Sequence, residues 1–399
     1  MATVIRRLRG GIWTEHLITL AVATFLLNFG SGLLNGASTN FFVVTLGMTG
    51  QQVLWLAGLR EVPGLTLIFI AALIMHWPLR RRAFISVLLM AVGYGLYVAI
   101  DSFVALVAVA IVASLGFHTW QPYQSAIAMS LTTKDRSGEV MGAIAAVRSL
   151  AAIAGMAVIA GISALLPAMN LRYYFAVGAL FILSAAIWLL RLPRNVGVDE
   201  RELPRMLIHP RYWLYYVLTF FEGSRMQVFG TFGTLVLVQD YGLGVTQISL
   251  ILLASATVNL FASPYLGKLL DRLGERVTLS VSYVLLAICF VGYATFHNAI
   301  ALAMLLVCIN MLVLLSMGLQ TYVNRISPAR ELTATLSAGV SINHITSVGM
   351  SLVAGVLLER LGYEALCYGA AVLIMASVPF ALAIRLPKPT PQPAVVSAE

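Results

Sequence analysis

Apolar residues run along this chain in blocks of about twenty, each closed by a short polar stretch, and windows of about 19 residues resolve twelve such blocks. They fall at 17–41, 53–75, 84–100, 103–131, 138–165 and 173–192, then at 212–237, 247–269, 277–296, 300–322, 333–357 and 366–384. As helices rising about 1.5 Å per residue, blocks of this length match roughly 30 Å of hydrocarbon. The pattern predicts an all-α membrane protein of twelve transmembrane helices in two six-helix bundles.

The polar residues divide the chain accordingly. The longest polar connection, 194–211, carries Asp199, Glu200, Arg201 and Glu202 near mid-chain and is expected to stay in water as a linker. The first bundle is therefore assigned to 1–193 and the second to 212–386. The tail, 387–399, holds Pro387, Pro389, Pro391 and Pro393 and is expected to be disordered.

Composition excludes an ordinary soluble enzyme: of 399 residues 60% are hydrophobic and 10% charged, against roughly 25% charged in soluble domains. The net charge of +9 is a topology signal and not a nucleic-acid footprint. With both termini cytoplasmic, 20 of the 25 Lys and Arg residues fall on the cytoplasmic side, Arg172 and Arg360 on the other, and Arg60, Arg148 and Arg225 inside spans. The expected location is a plasma membrane, of the bacterial inner-membrane type. The first apolar block follows Arg6, Arg7 and Arg9 without a convincing cleavage site and is expected to be retained. Cys289, Cys308 and Cys367 lie inside apolar blocks without metal-ligand spacing, so no disulfide framework, metal or cofactor is expected.

Shifting the sequence by about 194 residues brings Gly155 over Gly349, Arg136 over Arg330, and Arg80 to Arg82 over Gly274 to Arg276. A parallel six-helix repeat with a central cytoplasmic loop resembles the major facilitator superfamily. The turn Gly267, Lys268, Leu269, Leu270, Asp271, Arg272, Leu273, Gly274, Glu275, Arg276 is similar to that family's cytoplasmic signature. The corresponding first-half turn, from His76 to Arg82, has Trp77 where the acid would fall. The resemblance implies a monomeric secondary carrier in which two halves rock around a small-molecule site. It gives Asp271 and Arg272 a gating role, places spans one, four, seven and ten around the cavity, and places two, five, eight and eleven between the halves.

The chemistry lies in residues that lipid should reject. An ionised side chain at mid-bilayer costs about 2.5 to 3.5 kcal/mol, so each must pair or face water. By helix rise, Arg60, Glu61, Arg148, Glu222 and Arg225 share one layer, with His118 and His344 at similar depth. Glu222 and Arg225 are spaced i, i+3 and can pair on their own helix. Arg60 and Glu61 are adjacent, about 100° apart, and need partners elsewhere. Three arginines against two glutamates leave a cation for an anionic substrate group or for carbonyls and water. Arg148 and Arg225 are assigned as substrate cations, Glu222 as proton carrier with Glu61 its rival, and Arg60 and His344 as contacts between halves. Pairing of Arg148 with Glu61 or Glu222 is the structural alternative. His118, Gln121 and Gln124 follow one another around Pro122, which is expected to disturb its helix and line a cavity. Asn28 and Asn310 complete the candidate substrate site, with interhelical hydrogen bonding as the alternative for each.

These features favour proton-coupled transport of a small organic anion or zwitterion. Export of amphipathic or drug-like compounds ranks second. Drug-proton antiporters of the family carry a Gly-Pro pair in helix five, whereas here Gly142, Gly155 and Gly161 precede a proline only at Pro167. A transport-inactive sensor and an intramembrane enzyme built on Ser341 and His344 rank below both.

Overall fold

The computed structural model describes residues 12–74, 76–133, 136–197 and 208–385. Much of the expected linker, 198–207, and the expected tail lie outside them. The helices are α1 (Glu15–Asn40), α2 (Gly50–Leu59), α3 (Val62–Ile74), α4 (Leu79–Leu96), α5 (Phe103–Ser130), α6 (Ser137–Leu165) and α7 (Arg172–Leu189) in the first half. The second half contributes α8 (Trp213–Gln239), α9 (Val245–Thr295), α10 (Ala299–Val313), α11 (Met317–Ile326) and α12 (Ala329–Leu382). Twelve spans result, because α2 and α3 make one, α10 and α11 make one, and α9 and α12 each make two.

The long helices α9 and α12 fold back without a loop. Gly274 (φ 75°, ψ 164°) and Gly362 (φ 80°, ψ 174°) each reverse the chain in a conformation that a side chain would strain. Entry is set elsewhere by caps. Thr14 accepts from the Leu17 amide, Ser102 accepts from Ala105, and Thr49 and Gln52 form a reciprocal capping box.

Two spans depart from the uninterrupted reading. The second breaks at Arg60 and Glu61 because Pro63 has no amide hydrogen to donate and its ring crowds the carbonyl four residues back. The Glu61 amide bonds to the Gly58 carbonyl instead, and Gly64 to Glu61, both at i−3 spacing. The tenth passes through a tight 3₁₀ turn, Leu314–Ser316. Conversely, α5 continues through Pro122, where disturbance was expected.

Within the first half, α1 packs against α6 and α7 at backbone distance. A Cβ on Gly155 would lie 2.3 Å from the Phe29 carbonyl oxygen, and one on Gly30 would lie 2.6 Å from that of Gly178. Small residues are what allow such approach where hydrocarbon supplies no hydrophobic drive between helices.

Between the halves, α2 meets α12 and α6 meets α9. Trp55 Nε1 donates to the Leu352 carbonyl (3.0 Å), and the hydroxyls of Ser163 and Thr246 (3.0 Å) and of Thr39 and Thr234 (2.9 Å) pair. Asn40 Nδ2 donates to the Leu243 carbonyl (2.8 Å). All four lie toward the face where α1 ends. Toward the face where α1 begins, the polar contacts among the described residues stay within one half. Arg80 donates to the Leu190 and Leu192 carbonyls, Arg325 pairs with Glu275, and Arg211 pairs with Glu331.

Candidate functional site

The break in the second span supplies the site. It turns two adjacent charged residues out of a regular helix and sends them to different surroundings. The Arg60 carbonyl, released from the helical ladder, accepts a hydrogen bond from the Ser114 hydroxyl of α5. The Arg60 side chain lines a cavity of about 440 Å³ between the halves. Its guanidinium makes no hydrogen bond or ion pair with any described residue.

That cavity has polar walls. Asn35 and Ser38 come from α1, Thr231 and Thr234 from α8, Asn259 from α9 and Asn310 from α10. Asn310 Nδ2 donates to Ser255 Oγ (3.2 Å), and Asn259 Nδ2 donates to the Asn310 carbonyl (3.4 Å). Asn259 Oδ1 is buried without a partner, an acceptor left over beside the cavity. The Thr39 to Thr234 hydrogen bond closes the wall toward the face where α1 ends. A volume of this size suits a small metabolite.

Glu61 faces the other way. Its Oε2 lies 2.8 Å from His344 Nδ1, across the boundary between the halves, and 3.7 Å from His118 Nε2. The two imidazoles stand edge to face with centroids 4.9 Å apart. Gly64, one turn beyond Glu61, makes room for this cluster, since a Cβ there would sit 2.7 Å from the His344 ring.

The remaining expected residues are distributed differently from the sequence reading. Glu222 and Arg225 do pair on α8, both buried, with the guanidinium also 4.4 Å from the Tyr283 ring centre. They lie outside the lining of the polar cavity, so Arg225 is not placed there as a substrate cation. Arg148 is exposed on α6 and makes no ion pair or hydrogen bond with a described residue. Gln124 donates to the Thr24 hydroxyl of α1 (2.8 Å), and Asn28 donates to the Thr24 carbonyl of its own helix (2.8 Å). Both satisfy packing contacts, and Gln121 is exposed. Asn310 alone of the expected substrate residues lines the cavity. Thr234, Ser255 and Asn259 were missed because isolated hydroxyls and amides in apolar helices carry no periodic signal. Only the recurrence of polar residues at helical spacing, as in Ser255 and Asn259, hinted at them.

The chain matches the model of the Major Facilitator Superfamily over residues 20–221 and again over 215–399. It belongs to the major facilitator superfamily. Together the two matched stretches span nearly the whole chain. No curated protein sequence matches the chain. Among solved structures, the nucleoside transporter NupG superposes with a TM-score of 0.76 at 14% identity, covering 92% of this chain and 99% of NupG. A POT family transporter in complex with 5-aminolevulinic acid gives 0.75 at 11% identity, over 92% of this chain and 95% of that one. The peptide transporter POT in complex with sulfate gives 0.74 at 13%, over 93% and 94%. At these identities the likeness establishes the fold of a membrane transporter.

In this facilitator fold the ion pair at the signature turn is made by Glu275, beside the expected gating residues. Asp271 and Arg272 are both exposed, whereas Glu275 is fully buried and lies 2.8 Å from Arg325 at the end of α11. Gly274 sets this arrangement, because reversing the chain there turns Glu275 inward and leaves Asp271 on the outer side of α9.

Proposed function

We propose that this carrier moves a small polar solute bearing an anionic group, an organic anion or a zwitterion, through the cavity between its halves. The observation that carries this reading is Arg60, a permanently charged group lining the cavity with no carboxylate or carbonyl of a described residue bonded to it. A carboxylate or phosphate on the solute would supply the missing partner, and the amides of Asn259 and Asn310 would hold its neutral polar atoms. Arg60 thus takes the substrate role first assigned to Arg148 and Arg225. Phe42, Leu56, Met156 and Leu252 share the lining, so the preference over amphipathic compounds rests on Arg60. An enzymatic reading finds no support in the geometry, since Ser341 donates to the Ser337 carbonyl and His344 is held by Glu61.

Alternating access follows from the contacts between halves. They close the face where α1 ends, and transport requires exchanging those hydroxyl and amide contacts for others at the opposite face. The charge bias orients that opposite face toward the cytoplasm, with both termini inside.

Thermal stability of the detergent-purified protein against organic anions, amino acids, sugars and cationic drugs tests the solute class. A ligand at about 100 times its dissociation constant adds roughly 2.7 kcal/mol. Stabilisation by anions that disappears in Arg60→Gln and returns in Arg60→Lys is the expected result. Anion stabilisation unchanged in Arg60→Gln, or stabilisation by bulky cations alone, overturns the assignment.

Proton coupling has one supporting observation, at Glu222. Its Oε2 is bound by Arg225, while Oε1 is buried without a partner, so one oxygen is open to a proton beside Arg225 and Tyr283. Glu222→Gln keeps an acceptor for Arg225 and should abolish uptake driven by a pH gradient while sparing solute exchange. Unchanged gradient-driven uptake removes Glu222 from the coupling mechanism.

A further inference from the structure

We propose that Glu61, His118 and His344 form a site for a first-row transition-metal dication of the zinc type, and that the bound ion ties the two halves together. Two imidazoles and one carboxylate are a familiar donor set for zinc, with a fourth position left to water. The three donor atoms already converge: all lie within 4.8 Å of one another. In a tetrahedral site with bonds of about 2.0 to 2.1 Å, donors stand roughly 3.3 Å apart. The observed separations of 2.8 Å and 3.7 Å from Glu61 Oε2 bracket that value.

Several features mark the cluster as more than a buried ion pair. His344 alone would satisfy Glu61, yet His118 turns its Nε2 toward the same oxygen at a distance too long for a hydrogen bond. The two rings meet edge to face with one donor atom of each within 4.8 Å of the other and of the Glu61 carboxylate. Gly64 removes the one Cβ that would displace His344. The adjacent cation, Arg60, is turned into the polar cavity, and Glu61 supplies the negative charge that a dication needs in a membrane interior. With metal on His344 Nδ1 the neutral imidazole carries its one hydrogen on Nε2, and the ion takes the place of the Glu61 to His344 hydrogen bond.

The donors come from three helices in both halves, Glu61 and His118 from the first and His344 from the second. An ion held by all three therefore favours the conformer in which they converge, the one closed where α1 ends. Zinc should slow solute exchange by trapping that state, and binding itself can be read without any transported solute.

The test is titration of the full-length protein, stripped of metal in detergent, with zinc by calorimetry and with cobalt by its visible absorption. One equivalent per chain is expected, with the intense bands of tetrahedral cobalt and a rise in thermal stability. His118→Ala and His344→Ala should each weaken binding by about 10- to 100-fold or more, the loss seen when even an outer-shell partner is removed. His297→Ala, which removes a surface histidine 3.8 Å from Glu364, should bind as the parent does. His118→Gln and Gly64→Ala serve as further variants should an alanine variant fold poorly. The former should keep the fold while losing the cobalt bands, and the latter should weaken binding by displacing His344. Absence of saturable one-to-one binding, or equal affinity in His118→Gln and the parent, overturns the proposal. Failure of the Arg60 assignment leaves this outcome untouched, because no solute enters the measurement.

Discussion

Glu61 lies in the first half, at a break in its span, and its carboxylate reaches across to His344 in the second half. Glu222 lies in the second half, in an unbroken helix, and is bound by Arg225 three residues further on. Both are embedded acids, yet one is bound by a residue of its own helix and the other by a histidine of the opposite half. A carboxylate that completes its environment across a moving boundary can report or control the conformation. One paired on its own helix travels with that helix and serves stability first. The same contrast runs through the repeat, where corresponding positions in the two halves carry different contacts.

The largest effect should come from unpairing the buried acid on α8. Arg225→Met leaves the buried Glu222 carboxyl without its partner, which should lower stability by about 3–5 kcal/mol, while Glu222→Gln combined with Arg225→Met should restore most of it. Thermal unfolding in detergent reads this. Glu61→Gln, whose partners are partly open to solvent, should cost no more than about 1–2 kcal/mol in the same assay. Equal losses for the two acids would break the comparison.

The glycines that the repeat aligns sharpen it next. Gly155→Ala should destabilise by about 1–3 kcal/mol, because its Cβ would press on the Phe29 carbonyl. Gly349→Ala meets nothing within 4 Å and should be neutral. A neutral Gly155→Ala, in unfolding measurements on folded protein, would show that α1 and α6 are less tightly joined.

Smaller effects are expected at the closed face and at the signature turn. Thr39→Val removes one hydroxyl contact worth about 0.5–1.5 kcal/mol and should widen the distance distribution between spin labels placed on either side of that face. An unaltered distribution would mean that Ser163, Thr246 and Asn40 suffice to keep it closed. Least affected should be Asp271→Asn, an exposed position, whereas Glu275→Gln should change exchange kinetics by loosening the contact with Arg325. If the two exchange rates ranked in the opposite order, Asp271 would hold the gating role.

Much of the molecule was legible along the chain because the bilayer imposes a long and regular period. Block length, the bias of basic residues and the polar gap at mid-chain give the spans, an expected orientation and an expected division into two halves, each a one-dimensional signal. The Glu222 to Arg225 pair was legible for the same reason, being a property of helix spacing. The break at Arg60 was also written in the sequence, at Pro63, but a hydropathy window averages over it. The Glu61 to His344 contact, by contrast, joins residues 283 positions apart, and no local pattern encodes it.

The sequence by itself therefore determined that this is an all-helical membrane protein with charged residues it must accommodate, since burial in hydrocarbon constrains every residue of a span independently. Beyond the Glu222 to Arg225 pair, tertiary structure decided where those charges go. It sent Arg60 to the polar cavity and Glu61 to the histidines. It left Arg148 and Asp271 exposed and buried Glu275 against Arg325. Those outcomes depend on rotations of about 100° between neighbouring residues and on which helix each face then meets. Contacts of that kind are fixed only by helix packing, within the second half for Glu275 and across the halves for Glu61.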